Sequence, residues 1–128
     1  MIKKLFCIVL IFYPFTLHSL EKTKEEKVAK YVLENIQNDY TSCYGFYKIA
    51  SERYQKVNVE KSIIEGLNKS ADITLKFAYD LGEVLNYKPK TMTEKNQKEV
   101  KKLSIIAKKD FNKLTKKYGM MCKNLVEN

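Results

Sequence analysis

Residues 59–87 read VEKSIIEGLNKSADITLKFAYDLGEVLNY. Ile63, Leu67, Ala71, Thr74, Ala78, Leu81 and Leu85 recur every three or four positions, the period of one face of an α-helix. The opposite positions carry Glu65, Lys69, Asp72, Lys76, Asp80 and Glu83. Glu65–Lys69, Asp72–Lys76 and Lys76–Asp80 are spaced i,i+4, so this is a solvent face of mixed charge rather than a paired-carboxylate site. A helix with one apolar stripe must bury it against other elements.

The same period continues on both sides. Upstream, 24–37 carries Val28, Val32, Leu33 and Ile36, and 40–56 carries Tyr40, Cys43, Tyr47, Ala50 and Tyr54, with Val57 beyond. Downstream, a helix from 93 to 118 or further carries Val100, Leu103, Ile106, Ala107, Phe111, Leu114, Tyr118, Met121 and Leu125. No stretch alternates with period two, which makes the chain all-α. Asn38-Asp39 is placed to end one helix and cap the next. The apolar face runs through that point (Val32, Ile36, Tyr40, Cys43), so one continuous helix over 24–56 is the alternative. Asn58 is placed to cap the helix that follows it. Lys88-Pro89-Lys90 stops that helix, and Thr91 with Glu94 has capping-box spacing for the next. Gly119 after Lys116-Lys117 reads as a C-terminal stop. Loops this short join antiparallel neighbours. The predicted fold is a small up-down antiparallel bundle, three long or medium helices plus a shorter N-terminal one. Asp110 falls inside the apolar arc of the last helix, where a hydrogen bond to a Tyr hydroxyl or a neighbouring Lys is expected.

Residues 1–19, MIKKLFCIVLIFYPFTLHS, have a different character. Lys3 and Lys4 precede an apolar run from Leu5 to Phe15, and a more polar end follows at Ser19. That three-part pattern is a secretory signal peptide, with cleavage expected near Ser19. The run is too short for a membrane span, which needs ~20 apolar residues. An uncleaved anchor is the other reading. The expected organisation is a leader over 1–19, an N-terminal helical extension over 20–38 and a helical bundle domain over 39–128. The destination is periplasmic or secreted, and no transmembrane span is expected in the mature chain.

The whole chain has 128 residues, 45% of them hydrophobic, and a formal charge of +9. That is one domain's worth of ordinary globular composition. The only His, His18, leaves with the leader. The mature chain therefore lacks the base of Ser-His-Asp or Cys-His catalysis and any His ligand for a metal or haem. No dinucleotide, P-loop or CxxC motif occurs. No catalytic residue, cofactor or metal site is expected, and the chain reads as a non-enzyme.

Two cysteines remain, Cys43 and Cys122, and two cysteines in an exported chain suggest a bridge. On ideal rods the pair meets only if the last helix breaks early or the tail turns back. Two buried free thiols are the alternative.

Two surface constellations stand out. Tyr40, Tyr47 and Tyr54 recur every seven residues with Tyr44 on the flank. Seven residues are two helical turns, so the plain reading is a core seam, and the functional one is an aromatic platform. Between Lys88 and Lys123 there are 12 Lys against three acids. Lys98, Lys101, Lys108, Lys109, Lys116 and Lys123 fall opposite Leu103 and Leu114 on a single helix. The plain reading is a solvated face. The functional one is contact with an anionic polymer or membrane surface. Lys rather than Arg argues against geometric phosphate recognition, and export argues against nucleic acid.

Residues 43–52 (CYGFYKIASE), 75–82 (LKFAYDLG) and Lys117-Tyr118 with 122–125 (CKNL) resemble a loose group of short exported all-helical proteins from aquatic bacteria and their viruses. The likeness covers most of residues 39–126. It implies an exported helical domain, favours a Cys43–Cys122 bridge, and implies no site residues because the group has no known activity. Together these readings predict an exported protein that acts by binding a protein or envelope component. The alternative is binding of an anionic polymer or membrane surface through the Lys-rich last helix.

Overall fold

The computed structural model describes residues 13–128, with side chains from residue 22. Of the leader expected over 1–19, residues 1–12, including Cys7, lie outside the described residues. The described chain is all-helical: α1 (Tyr13–Lys56), α2 (Lys61–Val84), α3 (Pro89–Lys109) and α4 (Phe111–Glu127). It divides into two units, the described residues before Leu33, and Leu33–Asn128. In the first unit, residues 22–32 of α1 are exposed throughout, Val28 and Tyr31 included. No helix among the described residues is long and apolar enough to cross a membrane.

The second unit is a four-helix bundle. Asn38-Asp39 does not interrupt α1. The helix is held there by buried Gln37 and Thr41, one turn apart, and not by the expected apolar face, whose Val32 and Ile36 are exposed. Within 41–51, Thr41, Cys43, Gly45, Phe46, Tyr47, Ile49, Ala50 and Ser51 are all buried. An α-helix buried nearly all round is central. Its neighbours identify themselves by contact. Ser51 donates to Asn68 Oδ1 at 2.6 Å and Tyr40 stacks on Phe77 at 5.1 Å, so α2 runs antiparallel to α1. Ser42 donates to Glu99 at 2.9 Å, and a Cβ on Gly45 would sit 3.1 Å from Leu103, so α3 runs parallel to α1. Phe46 faces Tyr118 and Tyr54 faces Phe111, which sets α4 antiparallel to α1.

Each turn has a local cause, and several differ from the sequence expectation. Asn58 and Asn86 both have positive φ, 55° and 59°. Val59 N–H donates to Tyr54 O and Tyr87 N–H to Gly82 O, the six-to-one bonds of a Schellman ending. Asn58 therefore ends α1 and does not cap α2, whose N-cap is Glu60 with no side-chain bond. Asn is the residue besides Gly that tolerates the left-handed region. α3 begins at Pro89, upstream of the Thr91–Glu94 box, because proline at the first helical turn loses no hydrogen bond. The expected long last helix breaks at Asp110. There the backbone is extended (φ −158°, ψ 94°), and the carboxylate accepts from Lys113 N–H at 3.0 Å as the N-cap of α4. Asp110 is thus exposed, not set in an apolar arc. Gly119 lies inside α4 and stops nothing.

That one-residue break folds α4 back along α1 and brings Cys122 to Cys43. The disulfide is formed, with S–S 2.07 Å and Cα–Cα 5.3 Å. Around it pack Phe46, Tyr47, Leu103, Ala107, Leu114 and Tyr118. Toward Gln37 the buried groups turn polar: Gln37, Thr41, Thr74 and Asn96. Gln37 is bonded at both ends, donating to Ala78 O at 3.2 Å and accepting from Lys95. Thr74 donates back to its own helix at Ser70 O. On α2, Gly82 packs against Met92 so closely that a Cβ would collide with the Met92 sulfur.

Candidate binding groove

Three helices meet where this polar layer begins, and they leave a groove of about 380 Å³. α1 contributes Tyr44 and Lys48, α2 Leu75 and Tyr79, and α3 Asn96, Val100 and Lys101. The tyrosine rings with Leu75 and Val100 make apolar walls. The Tyr79 and Thr93 hydroxyls are hydrogen-bonded at 2.7 Å and tie α2 to α3 along the groove. Lys48 reaches over the Tyr44 ring, 6.0 Å from its centroid. The lining holds two lysines and no carboxylate, so the groove is electropositive.

Asn96 is the group without an internal explanation. It is only 5% exposed, and its Oδ1 has no hydrogen-bond partner. Leaving a buried acceptor unpaired costs about 1–3 kcal/mol. Apolar side chains surround it on the helix phase, since Met92, Asn96 and Leu103 all turn inward from α3. An Asn at that phase is the sequence signal for this site, and it lies upstream of Val100, where the apolar pattern of the expected last helix begins.

The four tyrosines do not form a platform. Tyr40 is committed to Phe77, Tyr47 is buried beside Phe46, and Tyr54 meets Phe111 edge-on at 6.0 Å. Their seven-residue spacing is real, but α1 is surrounded, so each ring meets a different neighbour. Of these four, only Tyr44 lines the groove. Burial, with Glu127 adding negative potential, pushes the Tyr47 hydroxyl above its ordinary value, and a bond to Ser70 opposes this in part.

The lysine ridge is likewise divided. Lys98, Lys101, Lys108 and Lys109 are exposed on α3, and Lys116 and Lys123 are exposed on α4 beyond the Asp110 break. Lys98 borders a cleft against α1, Lys101 borders the groove, and Lys108 lies by Glu52 and Arg53. On the outer face of α2, Lys76 pairs with Asp80 at 2.6 Å as the i,i+4 spacing predicts.

Comparison with family models, with curated proteins and with solved structures finds no match to this chain.

Proposed function

We propose that this chain is an exported, non-enzymatic binding protein. In this reading, the groove between α1, α2 and α3 holds part of a partner protein or another envelope component. The observation that carries the reading is Asn96, an amide kept at the groove with its oxygen unpaired. A partner that supplies the missing donor recovers the free energy lost in burying it. The apolar walls and the two lysines give such a partner a seat and a preferred sign of charge.

Export is supported by three features. The leader pattern of 1–19 is one. The Cys43–Cys122 bridge is another, because structural disulfides persist in oxidising compartments. The likeness of 39–126 to short exported helical proteins is the third. A non-catalytic role is supported by a chain that has no His after residue 18 and by a groove lined with neither Cys nor carboxylate.

Filling the groove tests the binding reading. Val100→Trp places an indole between Tyr44 and Tyr79. The expected result is a folded, oxidised protein that no longer retains the envelope component retained by the unaltered chain. Equal retention by both would remove the groove from the function. Mass analysis of the protein from its own cells tests export: the expected chain starts near Leu20 with Cys43 and Cys122 joined.

A further inference from the structure

A second hollow, of about 650 Å³, opens between α1 and α3. Asn38, Thr41 and Ser42 form one wall, and Lys95, Lys98 and Lys102 form the other. Glu99 is the one carboxylate in the lining, and it is already engaged: it accepts from Ser42 at 2.9 Å and from Lys102 at 3.2 Å. Lys95 donates to Gln37 Oε1 and to Asn38 Oδ1 at 2.8 Å, its ammonium lies 5.0 Å from the Tyr87 ring centroid, and Glu34 and Glu99 are close enough to act on its charge. Among the described residues Lys98 makes no ion pair, and it is exposed at the rim. Thr41 is 3% exposed, yet its hydroxyl has no partner. A fixed cation, a second cation at the rim and a buried hydroxyl with its bonding capacity unused make a built polar site.

We propose that this cleft binds a phosphate or sulfate group carried on a saccharide. The excess of lysine over carboxylate in the lining selects an anion. Lysine acts as a point charge, so it accepts either tetrahedral oxyanion without the planar fit that arginine imposes. The volume is that of a small-ligand site and exceeds what one oxyanion fills. Every lining residue carries a polar or charged group, which suits a hydroxyl-bearing ring. The assignment is independent of the Tyr44–Tyr79 groove, because the two hollows share no lining residue.

Titration calorimetry on the full oxidised chain tests it with three probes: inorganic phosphate, a sulfated heparin-type disaccharide and phosphatidylglycerol vesicles. The disaccharide is expected to bind, phosphate to compete with it, and added salt to weaken both. Lys98→Glu and Lys108→Glu change the net charge equally. The first is expected to weaken disaccharide binding about tenfold or more and the second by less than about twofold, since only one removes a direct charge-assisted contact. Thr41→Val is expected to lose affinity while its melting temperature holds or rises, because it deletes an unpaired buried hydroxyl. Equal effects of the two lysine reversals, unchanged affinity in Thr41→Val, or binding to vesicles alone would each overturn the proposal.

Discussion

The two ends of the bundle bury different chemistry. Around Cys43 and Cys122 the core is apolar and covalently closed, with Leu103, Leu114 and the Tyr118 ring fully packed. Toward Gln37 the same helices bury Ala78 and Met92 together with an amide, two hydroxyls and a second amide, and two of those polar groups, Thr41 and Asn96, are left without partners. Both hollows singled out above open beside these two residues. The labour is divided between the two ends. One end stabilises the fold, and the other holds unsatisfied polar groups at a cost in stability, at the two places where binding is proposed.

The largest effect should come from the closed end. In the chain-entropy model a loop of this size, with sequence separation 79, stabilises by roughly 4–5 kcal/mol. Reduction, or Cys43→Ser with Cys122→Ser, should lower the melting temperature by on the order of 20 °C, read by circular dichroism. Next, Leu114→Ala should cost about 3 kcal/mol in urea unfolding, as large-to-small changes at fully buried leucines do. The matching change at the other end should reverse the sign. Asn96→Leu replaces an unpaired amide by a side chain of similar size, and should leave stability level or raise it by about 1 kcal/mol while abolishing groove binding. A loss comparable to that of Leu114→Ala would erase the distinction between the ends.

Alkaline pH sharpens the comparison further, because the ends titrate in opposite senses. Burial lowers the Lys95 pKa from its ordinary 10.5, with Glu34 and Glu99 opposing the shift. Its unfavourable contribution is present below the lowered folded-state value and disappears as pH rises to 10.5. The Tyr47 pKa is raised above 10.0, chiefly by burial. Its favourable contribution is present below 10.0 and is lost as pH climbs through the raised folded-state value. Urea titrations across this range should show Lys95→Met removing a gain and Tyr47→Phe removing a loss. The smallest expected effects are at the turns. Asn58→Gly and Asn86→Gly keep the left-handed backbone and should each shift stability by less than about 1 kcal/mol.

The helical class was legible because the three-to-four period is carried by nearly every segment after the leader. The break at Asp110 was not, for a physical reason. Ala107, Phe111, Leu114 and Tyr118 keep helical spacing across it, since losing one residue to a turn leaves the apolar phase almost unchanged. The signal was polar: Lys108 and Lys109 in a last turn, followed by an N-capping Asp. The asparagines at 58 and 86 mark boundaries in the sequence, but whether an Asn caps or terminates depends on φ. The site was the least legible part. That Thr41 and Asn96 are polar can be read directly, whereas their lack of partners is set by which groups three other helices bring near them.

Native-state hydrogen exchange on the oxidised chain tests the division between the ends most directly. The slowest amides are expected in 43–51, 103–107 and 114–122, with distinctly faster exchange in 78–82 and 92–96. Uniform protection along α3, or slower exchange at 92–96 than at 103–107, would contradict it.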